Sequence, residues 1–117
     1  MNVAKIIEIA EQNDFAMHEY EENGILCGYE LETWTNGGVN MIHFIDCRDS
    51  EGVTPEKVLS ELKEIFECFD VDEQIDLHRQ GEDYRNAFTI RQSVEDFEEY
   101  YDCLSQLVAA VEEIMNS

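Results

Sequence analysis

The sequence predicts an α+β domain, with three helices packed on an antiparallel sheet of three to four strands in the order α-β-β-β-α-β-α. Apolar residues recur with helical period at both ends of the chain and after Pro55. A stretch rich in aromatic and β-branched residues carries Asn-Gly twice, at Asn23-Gly24 and Asn36-Gly37, and Asn-Gly between such segments is a strong hairpin signal. No Gly/Ser linker, low-complexity tract or internal repeat divides the 117 residues, so residues 1–117 are expected to form a single domain.

The first helix rests on Val3, Ile6, Ile7 and Ala10, spaced i, i+3, i+4, i+7, and ends in the cap-favouring run Gln12-Asn13-Asp14. Three strands follow, near 14–21, 25–34 and 39–47. A three-residue loop Glu22-Asn23-Gly24 pairs Phe15 with Thr33, Met17 with Leu31 and His18 with Glu30. For the second hairpin, a two-residue Asn36-Gly37 loop pairs Leu31 with Ile42 and Tyr29 with Phe44. A loop one residue longer pairs Leu31 with His43 and Cys27 with Cys47. The shorter loop is the expectation, and the choice matters because a slip of one residue exchanges the faces of a strand.

The second helix has a clear start: Thr54 as cap, Pro55 in the first position, and Glu56 at the positive end of the dipole. Val58, Leu59, Leu62, Ile65, Phe66 and Phe69 form its apolar stripe. The polar stretch after it is expected to tuck Val71, Ile75 and Leu77 onto the core. "NAFTI", residues 86–90, reads as a short fourth strand. The last helix is expected from Ser93, which with Asp96 resembles a capping box. Its apolar stripe is Val94, Phe97, Tyr101, Leu104, Val108, Val111 and Met115.

Composition narrows the function classes. Hydrophobic residues make up 44% and aromatics 10%, too much for a disordered acidic tail. Asp and Glu number 28 against 7 Lys and Arg, a formal charge of −21. That balance argues against direct contact with nucleic acid or an anionic membrane, whose phosphates call for cations. The expected partner is instead a basic protein surface, such as that of a nucleic-acid-binding protein. No apolar run approaches the ~18 residues of a membrane span, and "MNVAKIIEIAEQND" lacks the features of a signal peptide. Cys27, Cys47, Cys68 and Cys103 form neither a CxxC pair nor a dense disulfide framework, so free and mostly buried thiols in the cytoplasm are expected.

No catalytic or metal motif emerges. A calcium loop opening at Asp70, with Asp72 and Asp76, would need glycine in sixth place and an acid in twelfth; Ile75 and Gly81 stand there. His18, His43 and His78 with Cys27 or Cys47 lack zinc-ligand spacing. Neither a metal nor a cofactor is therefore expected. The enzymatic alternative is a small catalytic or ligand-binding domain using His43, Cys47 and His78, although no nucleophile–base–acid spacing supports it.

The candidate interaction residues are Glu95, Glu98, Glu99 and Asp102, an all-acidic face of the last helix, and Trp34 beside the second turn. Like charges three or four apart cost a helix a few tenths of a kcal/mol per pair, so a lopsided row suggests that negative potential itself is used. A row repeating every ~5 Å is sparser than duplex phosphates, at one charge per ~1.7 Å. A nucleic-acid mimic would need a second row, such as Glu61, Glu64 and Glu67 or the acids of 70–76. Both strand faces carry apolar residues: Tyr29, Leu31, Ile42 and Phe44 on one, Leu26, Trp34, Met41 and Ile45 on the other. Either the helices cover both faces or one serves a homodimer or partner.

The segments "ELETWTNGGVNMIHFIDCRD", "FDVDEQIDLHRQ" and "AFTIRQSVEDFE" resemble small, acidic, uncharacterised proteins of mobile elements in gut bacteria, over about residues 25–100. The resemblance implies no activity and no site residues. It implies a genetic setting in which small acidic inhibitors of host defence occur, antirestriction and anti-CRISPR proteins among them.

Overall fold

The computed structural model describes residues 2–48, 52–75 and 87–116. Helix α1 spans Val3–Gln12, with Asn2 as its cap: the Lys5 backbone N–H donates to Asn2 Oδ1 at 3.0 Å. Strands β1 (Ala16–Glu22), β2 (Ile25–Trp34) and β3 (Asn40–Asp46) form an antiparallel sheet in the order β1-β2-β3. Helix α2, Pro55–Cys68, starts as its sequence dictates, with Lys57 N–H donating to Thr54 Oγ1 at 3.1 Å. Helix α3 runs from Ala87 to Met115. The fold is thus α+β.

One expected element changes type. Ala87–Ile90, the expected fourth strand, is the first turn of α3. Thr89 and Ile90 favour strands only weakly as single residues, and extending an existing helix adds a hydrogen bond for each residue fixed. Ser93 consequently lies inside the helix, and its expected capping box with Asp96 does not exist.

Both hairpins close differently from expectation. The first uses a two-residue Asn23-Gly24 turn, with φ 54° and 80°, the left-handed pair of a type I′ turn. A bulge then lets β2 gain a residue, between the pairs Tyr20↔Gly28 and Glu21↔Leu26. Beyond it the expected register holds, with Met17 opposite Leu31 and His18 opposite Glu30. The second hairpin takes the longer loop. Gly38 at φ 89° supplies the left-handed residue of a three-residue loop, and Thr35 N–H donates to Val39 O at 2.9 Å. Leu31 therefore faces His43, and Tyr29 faces Ile45, in place of Ile42 and Phe44.

That slip sorts the faces. Phe15, Met17, Tyr29, Leu31, Met41 and Ile45 belong to the core, whereas Trp34 and Ile42 are exposed on the other side. The helices lie on the inner side: α1 against β1, α2 against β3, and α3 against both helices. Tyr100, 1% exposed, meets Phe15, His43 and Phe69 within ring-to-ring distances of 5.1–6.1 Å. Tyr100 and Leu107 thus take core places in α3, while Tyr101, expected in the stripe, is 39% exposed and packs on Phe66. Val71 and Ile75 pack against the core as expected; Leu77 lies outside the described residues. Among the described residues, no helix is long and apolar enough to cross a membrane.

Candidate functional site

Trp34 ends β2 on the outer face and is 63% exposed. The β1–β2 register carries the residue before Phe15, Asp14, to its side. Asp14 holds a left-handed φ of 65°, tolerable for Asp, and its carbonyl accepts from Thr33 Oγ1 at 2.8 Å. An open recess of about 510 Å³ lies here, lined by Trp34, Phe15, Ala16 and the acids Glu11, Asp14 and Glu32. Glu11 sits in the last turn of α1, which contains no basic residue. The negative end of the helix dipole therefore adds to the charge of the rim.

On the other side of Trp34, a crevice of about 110 Å³ is bounded by Asp14, Asn36, Glu99 and Cys103. Here α3 grips the second turn. Asn36 N–H donates to Glu99 Oε2 at 2.9 Å, and Gly37 N–H to Asp96 Oδ1 at 3.1 Å. Gln92 Nε2 donates to the same Asp96 oxygen at 3.1 Å. Asp96 is 3% exposed, so a buried carboxylate is satisfied by one backbone N–H of the turn and one side-chain amide. A Cβ on Gly37 would run into that carboxylate. Burial pushes the Cys103 thiol up, and Glu99, Asp102 and Asp14 push it further. Acids of the α1 end and of α3 therefore converge beside Trp34.

Of the expected interaction residues, the structure brings Trp34 and Glu99 together, and exposed Asp102 lies about one turn further along α3. Glu95 and Glu98 are exposed on the outer side of α3. Glu11, Asp14 and Glu32, outside the expected acidic row, join Trp34 at the recess. Lys63 Nζ pairs with Glu112 Oε1 at 3.1 Å, and Phe66 and Tyr101 stack 5.0 Å apart. These contacts run α2 antiparallel to α3 and place exposed Glu64 and Glu67 on the helix beside the α3 row.

The described lysines and Arg48 pair away from this site, and His18 pairs at its edge. Lys5 pairs with Glu8, Arg48 with Asp46 and Glu22, Lys57 with Glu61, and His18 with Glu32. Among the described residues, no Lys, Arg or His pairs with Glu11, Asp14, Glu95, Glu98, Glu99 or Asp102. Glu32 is held below the usual carboxylate range by hydrogen bonds, first from Asn40 and then from His18.

Of the residues of the enzymatic alternative, His43 and Cys47 stand apart. His43 is half-buried, its Nδ1 2.6 Å from the Tyr100 hydroxyl, and burial lowers its pKa. It borders a recess of about 300 Å³ with Glu61, Glu64, Cys68 and Gln74, which does not include Cys47. Cys47 is buried and lies four residues on along the same edge, ~13 Å away at strand rise. His78 and Asp76 lie outside the described residues. Asp70, the start of the rejected calcium loop, caps the helical turn 71–75, accepting from Asp72 N–H at 2.9 Å and Glu73 N–H at 3.3 Å. Among the described residues, no group of three or more His, Cys, Asp or Glu could hold a metal ion.

Comparison with protein-family models, with curated proteins and with solved structures finds no match.

Proposed function

We propose that the protein works by binding, without catalysis, a basic surface of a partner protein, through an acidic face that starts at Trp34 and continues along α3. The observation that carries this reading is the placement of charge. Among the described residues the lysines and Arg48 pair with other acids, while of the acids around an exposed tryptophan only Glu32 has a basic partner, His18. Exposed Trp is a frequent binding hot spot, and complementary charge raises association rate and specificity. In its sharper form the face imitates nucleic acid and occupies the groove of a defence nuclease. The exposed acids Glu64 and Glu67 of the neighbouring helix α2 and the resemblance to small acidic mobile-element proteins support that form, while Lys63 interrupts the α2 row.

The test is capture from the native host at low and high salt, followed by titration of the captured basic protein. Changing Glu95, Glu98, Glu99 and Asp102 to Gln should slow association and flatten the salt dependence. Gln keeps an oxygen for the Asn36 N–H, so the turn should survive. Equal affinity and equal salt slope for both forms would defeat the reading.

A further inference from the structure

The outer face of the sheet holds two aromatic ends with similar surroundings. At one end, Arg48 lies over the Phe44 ring at 5.3 Å. Its fork is held by Asp46, with Nε and Nη2 donating at 3.0 Å each, and Glu22 stands 3.7 Å away. Tyr20 braces Phe44 edge-on at 5.2 Å. The protein thus shows how its sheet seats a guanidinium: an aromatic face below and carboxylates at the rim.

At the other end, Trp34 is 63% exposed and Ile42 54%. Trp34 pairs with Asn40 and Glu32 with Ile42, which makes Trp34 and Ile42 diagonal neighbours on one face. Glu32, Glu11 and Asp14 rim this end. Among the described residues no cation lies over Trp34, and no helix covers this side of the sheet. Indole is the best ring for cation–π contact, and guanidinium stacks on it while its fork stays free for carboxylates.

We infer that the Trp34–Ile42 end of the outer sheet face is a docking surface for a basic segment of a partner protein, whose arginine stacks on Trp34 between Glu11, Asp14 and Glu32. The inference rests on the proposed function and names the seat and the side chain. Charge selects the occupant: a second copy would bring another −21 to the same face, whereas an arginine-bearing segment complements it.

The chain has one tryptophan, so its emission reports this surface directly. The probe is a short polyarginine peptide, with polylysine and polycitrulline of equal length as controls. Polyarginine should bind at low salt, change Trp34 emission, and bind several-fold tighter than polylysine; polycitrulline should not bind. Trp34→Ala should weaken polyarginine about tenfold, the loss expected of a well-seated cation–π contact, and Trp34→Tyr should restore part of it. The combined Glu11→Gln, Asp14→Asn, Glu32→Gln variant should lose more affinity than Glu95→Gln with Glu98→Gln. Circular dichroism checks each fold, and Asn is suited to the left-handed backbone at position 14. If polyarginine binds wild type and Trp34→Ala equally, the seat is wrong while the acidic-face reading stands. If it fails to bind wild type at low salt, both fall. A dimer in sedimentation that dissociates on Trp34→Ala would assign the face to a second copy and overturn the inference.

Discussion

Asp96→Ala is the substitution that tests most directly how α3 holds the turn beside Trp34. The carboxylate accepts from Gly37 N–H and Gln92 Nε2, both at 3.1 Å, at a site 3% exposed. Hydrogen bonds to charged groups contribute ~1.5–3 kcal/mol each. The Gln92 end is half-buried and regains water, so the loss should be about 3 kcal/mol in total. At about 4 °C per kcal/mol for a domain of this size, the melting temperature should fall by about 12 °C. Asp96→Asn keeps an acceptor oxygen but no charge, and should lose about half as much. Urea unfolding followed by circular dichroism gives the free energies. Steady-state anisotropy of Trp34 gives a second readout, because a released turn lets the end of β2 move. A loss below ~0.5 kcal/mol with an unchanged urea slope would show that Asp96 does not secure the turn.

Other consequences are open to simple measurements. Gly28→Ala should destabilise by more than ~2 kcal/mol in urea unfolding, because its Cβ would strike the Ile45 backbone carbonyl, which cannot turn away as a side chain could. Raising salt from about 10 to 150 mM shortens the Debye length from ~30 to ~8 Å and should raise the melting temperature by several degrees; a flat curve would mean the acids are already compensated. Thiol counting after denaturation without reductant should find four free cysteines; in the native protein exposed Cys68 should alkylate first, and Cys103 slowly, because burial and neighbouring carboxylates disfavour its thiolate. His43 is favoured neutral in the fold by burial, so the unfolded chain takes up its proton first. Its stabilising contribution is complete above the ordinary histidine value near 6.5 and declines as pH falls through the lower folded value, where an NMR titration should place its midpoint.

The legible parts of the fold share a property: they depend on residues close together in sequence. Thr54-Pro55 marked the start of α2, and Asn23-Gly24 placed the first hairpin. What failed was decided at longer range or by one residue. The second hairpin turned on whether Gly38, rather than Gly37, takes the left-handed position, and that choice moved Ile42 and Phe44 from the face of Tyr29 and Leu31 to the opposite one. Asn86–Ile90 had strand-like residues but no declared strand partner, and α3 absorbed Ala87 onward. The site was half legible. Trp34 and the acidic row were visible as residues. Their meeting depends on Glu99 reaching Asn36, a contact 63 positions apart that no periodicity encodes. Asp14 was within reach: the expected pairing of Phe15 with Thr33 already placed its neighbour beside Trp34.

The acids themselves divide into two populations, and the division argues for a partner. Asp70, Asp96 and Glu99 accept backbone N–H groups; Glu8, Asp46, Glu61 and Glu112 take up the described lysines and Arg48. The fold uses these. Glu11, Asp14, Glu95, Glu98 and Asp102 have no cation among the described residues, and Glu95, Glu98 and Asp102 stand three and four apart on one helix. Such spacing destabilises by ~0.2–0.5 kcal/mol per pair, and glutamine would solubilise the same positions without that cost. A surplus kept only for solubility has no reason to gather at one place. Here Glu11 and Asp14 stand together at the end of α1 beside the chain's one tryptophan, and Glu95, Glu98 and Asp102 belong to the helix whose Glu99 borders the same residue; that grouping favours a directional surface over a merely soluble one.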